Sequence, residues 1–234
     1  MKSLLGDGYA DFIAALERDA VRGARANLIK TDAARVGSLL GNYLTPTDYC
    51  DNGFILSDVV KIGHTPEHHA GMIYVQDPGA MATLAAVDIR GDELVLDTCA
   101  APGGKSSQIA ERLTTGSLLS NEYVPKRAKI IVGNLERLGV KNAIVTSQDT
   151  ADIGKAYSRV FDLVVVDAPA PARVCSARAM RHLPNGARKM SLPAPRGRSR
   201  YLTMWRARLR AAAGCFTPPA PTRPRKTNML LITF

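Results

Sequence analysis

Leu94-Val95-Leu96-Asp97-Thr98-Cys99-Ala100-Ala101-Pro102-Gly103-Gly104-Lys105 is the stretch on which the reading of the chain turns. Its apolar residues read as the end of a buried strand, Pro-Gly-Gly forces a tight turn, and Ser106-Ser107-Gln108-Ile109-Ala110-Glu111-Arg112-Leu113 has helical spacing. Strand, glycine turn and helix in that order put the turn at the carboxyl end of a strand in an open α/β sheet, where ligands bind. Glycines without side chains let backbone N–H groups approach such a ligand closely.

The turn is neither the GxGxxG of dinucleotide enzymes nor a GxxxxGK[ST] phosphate loop, so glycines alone say little. A second strand adds the specificity that the glycines lack. Ser117-Leu118-Leu119-Ser120-Asn121-Glu122 reads as this strand and ends in a carboxylate, about 20 residues after the glycines, the usual place for an acid that holds a ribose hydroxyl pair. Pro125 to Leu138 is a helix with proline in its first turn and Gly139 as its stop. Asn142 to Ser147 is a third strand ending near Asp149, and Phe161 to Pro169 a fourth, continuously apolar as a central parallel strand should be. Strands alternating with helices predict a doubly wound sheet.

Taken together, Cys99 to Lys105 (CAAPGGK), Asn121-Glu122, and Arg127 with Asn134, Arg137, Gly139 and Asn142 resemble the RsmB/Nop2/Sun family of RNA 5-methylcytosine methyltransferases, closest to its bacterial ribosomal-RNA branch, from near Tyr9 to Pro169. The resemblance implies a Rossmann-like doubly wound methyltransferase sheet, here truncated, preceded by a small α+β domain that contacts RNA. It also implies S-adenosylmethionine as cofactor. Cys99, Ala100, Ala101, Pro102, Gly103, Gly104 and Lys105 form the cofactor turn, and Glu122 takes the ribose. By the same resemblance Asp149 sits by the adenine, and Asp167, counted as both catalytic and cofactor-binding, lines the space between cofactor and target cytosine. The expected domains are residues 1–85 for RNA recognition, 86–169 for the first half of the methyltransferase, and 170–234 as a basic, disordered tail.

Upstream, Asp11 to Arg18 is a short amphipathic helix, and Arg22 to Lys30 resembles the family's RGLRVNTLK segment. Arg22 and Arg25 on one strand face would address phosphates; a solvated edge strand is the alternative. Phe54-Ile55-Leu56 is a strand after the turn signals at Asp51-Asn52-Gly53. His64 to Met81 resembles the family's HxxAGxYYxQEPSAM stretch, in which Gln76 and Pro78 shape the active-site entrance. The next helix spans Met81 to Val87. Three histidines lie at 64, 68 and 69, but without a carboxylate or cysteine cluster no metal is expected.

With 46% hydrophobic residues in 234, the chain can bury a sizeable core. It has no apolar run of membrane-spanning length and no signal-peptide pattern, so a cytoplasmic monomer is expected, without a membrane partner. Four widely spaced cysteines indicate neither zinc nor a disulfide framework. The net charge of +10 suggests a nucleic-acid partner, but the average misleads. Residues 170–234 hold 14 Lys and Arg and no acid, leaving 17 basic against 21 acidic residues in 1–169.

Beyond Pro169 the helical and strand periods fail, and residues 170–227 carry eight of the 14 prolines. The family continues Asp-Ala-Pro with Cys-Ser-Gly, then a tryptophan-containing EWSPE-like segment, then STCT. None is present as written. Restoring one C among permitted codons for Ala168 to Ser176 makes them spell A-P-C-S-G-A-G-M-F. At the same offset His182 to Ser191 is compatible with EWSPENV, Phe216 to Thr222 with YSTCTY, and Arg225 to Met229 with an ENE-like run. The expectation is an out-of-frame translation from about Ala170, with an RNA-binding basic tail as the alternative.

The family's chemistry adds a cysteine thiolate to C6 of cytosine so that C5 can attack the methyl donor, and a second cysteine releases the product. Neither cysteine stands at its family position here, so a methyltransferase by descent, acting on ribosomal RNA and inactive as written, is expected. A non-catalytic RNA-binding remnant is the rival.

Overall fold

The computed structural model describes residues 5–17, 20–57, 61–157, 160–167 and 228–232. Helix α1 (Tyr9–Glu17) precedes β1 (Arg22–Ala26), α2 (Ala33–Leu40), β2 (Leu44–Thr47), β3 (Cys50–Leu56), α3 (Pro66–His69) and β4 (Ile73–Val75). Side-chain oxygens start several helices: Asp32 accepts from the Arg35 amide at 2.7 Å, Thr65 from His68 at 3.3 Å, and Asp77 from Gly79 and Ala80. Each such cap stabilises its helix by about 1 kcal/mol. The strands pair in the order β2-β3-β1-β4, with β1 antiparallel to both β3 and β4. Val36, Phe54, Leu56, Ile62 and Ile73 pack with Ala24 and Ala26 of β1 as the core of this unit.

α4 (Pro78–Ala85) leads into β5 (Leu94–Asp97), α5 (Gly104–Ala110), β6 (Ser117–Asn121), α6 (Pro125–Leu138), β7 (Ala143–Thr146), α7 (Thr150–Ala156), β8 (Leu163–Asp167) and β9 (Asn228–Ile232). The sheet order is β7-β6-β5-β8-β9 and each pairing is parallel. Strand parity shows why it is wound on both sides. Val95, Leu118, Leu163 and Val165 pack with Ile109 of α5 on one face, whereas Leu96, Val164 and Val166 pack with Ile153 of α7 and Phe161 on the other. The doubly wound expectation therefore holds. So do the bounds of α6, where Pro125 opens the helix and Gly139, at φ 78°, ends it.

Two expectations change. The sheet, expected to be truncated after the strand at Phe161 to Pro169, continues past β8, because Asn228–Ile232 pairs with it from Leu163↔Asn228 to Asp167↔Ile232. This strand also corrects the reading of 170–234 as a wholly disordered tail. Residues 168–227, with the stretches compatible with family motifs, lie outside the described residues apart from the end of the last one.

The second correction concerns Arg22 and Arg25. Strand side chains alternate with period two, so residues three apart face opposite sides and cannot present a common phosphate-binding face. Arg22 donates to the Ser57 carbonyl at 2.9 Å. Arg25 is 1% exposed and reaches into the unit built on the parallel sheet. It is ion-paired with Glu111, donates to Ser107 Oγ at 2.7 Å, and donates through Nε to Gln76 Oε1 at 3.2 Å.

Removing one partner of a buried pair strands the other's charge. Arg25→Met should therefore destabilise the chain by about 3–5 kcal/mol, and combining it with Glu111→Leu should recover most of that loss. Urea unfolding midpoints of the single and double variants measure both. An exposed arginine would give a change within about 0.5 kcal/mol.

Candidate functional site

Parallel strands bring their carboxyl ends to one edge, and Asp97, Asn121, Thr146 and Asp167 end β5, β6, β7 and β8 there. Fully buried Asn121 ties this edge together. Its Nδ2 donates to the carbonyls of Thr98 (3.3 Å) and Gln148 (3.0 Å), and its Oδ1 accepts from Thr146 Oγ1 and the Gln148 amide, both at 3.0 Å.

The glycine turn leaves β5 here. The Gly103 amide closes it onto the Ala100 carbonyl at 2.7 Å, and the Ala100 amide donates to the Asn121 carbonyl at 2.9 Å. Gly103 has φ 108°, which favours a residue without Cβ, and Gly104 lies under Tyr74, whose ring would stand 3.0 Å from any added Cβ. The first unit thus closes over the turn. Between the two units is a cleft of about 240 Å³ lined by Tyr74, Gln76, Asp77, Cys99–Pro102, Gly104, Lys105 and Asp167, among others.

Of the residues expected at the site, Cys99, Ala100, Ala101, Pro102, Gly104, Lys105 and Asp167 line this cleft together. Gly103, Glu122 and Asp149 are not part of its wall. Glu122 directly succeeds β6, at 4% exposure, and Asp149 caps α7 by accepting from the Ala151 amide at 2.9 Å. Lys105, 8% exposed, sits 2.5 Å from Asp167 Oδ2. Glu122 Oε1 accepts from the Val124 amide at 3.1 Å. Its Oε2 is buried and ion-paired with the Arg127 guanidinium at 3.1 Å. A carboxylate at the end of the second strand, about 20 residues after the glycines, suits a hydroxyl-bearing ligand such as a ribose.

Asp97 and Tyr74 were not singled out as site residues from the sequence. Asp97 carries the same signal as Asp167, an acid closing an apolar strand at the ligand edge. Its Oδ2 accepts from Ser106 Oγ at 2.7 Å, and Ser120 Oγ lies 2.9 Å from Ser106 Oγ, while Asp97 Oδ1 is buried without a hydrogen-bond partner among the described residues. Burial pushes the Asp97 carboxyl up to about 6, against the Ser106 hydrogen bond and the Lys105 charge. Burial also pushes the Cys99 thiol up to about 12, and the carboxylates of Asp97, Glu122 and Asp167 add to the effect. Cys99 is a neutral thiol near pH 7, packed into the turn, not an activated nucleophile.

Family models match both units. Residues 1–78 match the N-terminal domain of 16S rRNA methyltransferase RsmF, and residues 84–185 match 16S rRNA methyltransferase RsmB/F. Ribosomal RNA small subunit methyltransferase F of Klebsiella pneumoniae (strain 342) is 37% identical over 171 residues, covering 69% of this chain and 36% of that protein. The chain thus spans about a third of that relative's length. A methyltransferase homolog protein from Pyrococcus horikoshii superposes with a TM-score of 0.65 at 30% identity, over 70% of this chain and 55% of its own. NSun6 from Pyrococcus horikoshii, solved with SFG, has a TM-score of 0.64 at 17% identity over 72% of this chain and 68% of its own, a likeness of fold.

The raised Asp97 carboxyl makes stability depend on pH. The native state keeps a proton that the unfolded chain releases near its ordinary value of 3.8, so stability falls as pH rises from there through about 6. The fall is on the order of 3 kcal/mol, and Asp97→Asn should flatten it. Urea midpoints at about pH 4 and about pH 7 check this; an unchanged slope in the variant would assign the titration to another group.

Proposed function

We propose that the chain, whose two units match the RsmB/F and RsmF N-terminal family models, is an rRNA methyltransferase of that family by descent, and that its carboxyl-edge site binds S-adenosylmethionine for methylation of cytosine C5 in 16S ribosomal RNA. We propose also that the sequence as written retains the cofactor half of this site without the cysteines that the reaction needs. The observation that carries the first statement is the buried Glu122 carboxylate directly after β6, beside the glycine turn, in the position from which an acid takes a ribose hydroxyl pair.

In this reading Cys99 to Lys105 cradle the cofactor, Glu122 takes the ribose, and Asp149 stands at the adenine end. Lys105 and Asp167 line the cleft toward the target base, with the ion pair holding both side chains in place. When bound, the cofactor supplies an electrophilic methyl group on a sulfonium. Tyr74 and Gln76 close the cleft from the first unit, and their contact with the turn excludes water from part of it.

The second statement rests on chemistry. Attack on C6 needs a thiolate, and Ala170 comes after Asp167-Ala168-Pro169 where the family has its releasing cysteine. Cys99 does not substitute, because burial keeps its thiol protonated. The rival reading, an RNA-binding remnant that uses the N-terminal unit and the basic tail, loses one element of its support, the shared arginine face of β1, because Arg25 is committed to Glu111.

Calorimetric titration with S-adenosylhomocysteine should show binding, weakened at least tenfold, or about 1.4 kcal/mol, by Glu122→Ala. Labelled methyl transfer from S-adenosylmethionine to 16S rRNA should be absent. Absence of cofactor binding would overturn the first statement, and 5-methylcytosine formed by this chain would overturn the second.

A further inference from the structure

We propose that Arg127 and Asn134, on one face of α6, are positioning residues that hold the glycine turn and the Glu122 carboxylate in the geometry that receives the cofactor. The inference rests on the reading of this edge as an S-adenosylmethionine site and adds to it two residues that do not line the cleft.

Arg127 and Asn134 are about two helical turns apart, so they project from the same side of α6. Arg127 donates through one nitrogen to the Ala101 carbonyl at 3.2 Å and stands with another 3.1 Å from Glu122 Oε2. Asn134 Nδ2 donates to the Pro102 carbonyl at 2.8 Å. Two successive carbonyls of the turn are therefore held from α6, and Gly103 rests against the same helix, with Ile131 and Asn134 at van der Waals distance from the place of a Cβ. A carbonyl held on one side fixes the plane of its peptide, so the surface that the turn offers to a ligand is set from behind.

The Arg127 contact is geometric more than energetic. Its guanidinium is half exposed, and an exposed ion pair contributes little to stability. What a planar fork provides is direction. One guanidinium that reaches both the turn and the acid fixes the spacing between the two groups that must grip opposite ends of a ribosyl ligand. Glu122 is fixed at both oxygens, by the Val124 amide at Oε1 and by Arg127 at Oε2.

The experiment titrates the full chain and its variants with S-adenosylhomocysteine and with its 2′-deoxyribose counterpart. Asn134→Ala should weaken both ligands about five- to tenfold, with their ratio unchanged, since the turn serves both. Arg127→Gln should weaken the ribose ligand by a similar factor but the deoxyribose ligand much less, so the preference for ribose shrinks. Arg127→Lys keeps a charge beside Glu122 without the fork, and should recover the preference but not the full affinity. Melting temperatures report whether each variant is folded, and if Arg127→Gln does not fold, Arg127→Lys carries the comparison. Wild-type affinities in the variants, or an equal loss of both ligands in Arg127→Gln, would overturn the proposal. A wild-type chain that binds neither ligand would instead overturn the cofactor reading, and this inference with it.

Discussion

A guanidinium taken out of water is tolerated only where its N–H groups find acceptors, and Arg25 meets that condition only across the boundary between the two units. Glu111 just after α5, Ser107 on α5 and Gln76 just after β4 supply the acceptors. The network continues outward. Gln76 Nε2 donates to Gln108 Oε1 at 3.1 Å, Gln108 donates to the Met81 carbonyl at 3.1 Å, and Asn52 bridges Glu111 Oε1 and the Ala26 carbonyl. Because each member is paired, the two sheets have one relative placement that leaves no charge stranded. That placement puts Tyr74 and Gln76 over the glycine turn and so makes the cleft.

A second contact, at the end of α6, works on the same principle with backbone groups. The last carbonyls of a helix lack internal partners, and here the first unit provides them. Asn27 Nδ2 donates to the Leu138 carbonyl at 2.8 Å and to the Gly71 carbonyl at 2.7 Å, while Lys30 Nζ donates to the Arg137 carbonyl at 2.7 Å. Arg137 reaches back to the carbonyls of His68 and Ile73. Cations at a helix C-terminus also meet its negative dipole end. Gly71 is required at this joint, since at φ 73° a Cβ there would lie 2.0 Å from the Arg137 carbonyl oxygen. The residues that carried the family resemblance on this helix thus have physical duties: Arg127 and Asn134 hold the turn, Arg137 holds the first unit, and Gly139 ends the helix.

What was legible in the sequence was local. Pro125 and Gly139 bound α6 to the residue because both signals act within a turn of the helix, and the strand, glycine turn and helix around Gly103 were readable for the same reason. The parallel pairing of the strands could be expected from their alternation with helices. What was not legible depends on contacts between distant segments. β9 pairs with β8 across more than sixty residues, and no local pattern announces it. The burial of Arg25 is set by a partner 86 residues away, and only the strand period argued against a shared face with Arg22. Asp97 was readable by the signal that identified Asp167. Tyr74 was not, because its place in the cleft depends on how the two units meet.

The electrostatics of the sheet edge bear on which chemistry it can host. Asp97, Glu122 and Asp167 converge near the turn, and the buried cation among them, Lys105, is already paired with Asp167. Such an edge favours a ligand with a cationic centre and opposes the formation of another anion beside it. The same carboxylates that suit a sulfonium therefore hold Cys99 in its protonated form, at about 12, and a thiolate nucleophile cannot arise at the turn itself. In the proposed reaction the electrophile and the nucleophile need different surroundings, so a thiolate that attacked a base in the cleft would have to reach it from a segment outside the carboxylate cluster. Under the proposed function the turn at Cys99 to Lys105 holds the methyl donor, and Ala170, standing where that chemistry calls for a cysteine, removes a thiol from the reaction without touching the cofactor side of the site.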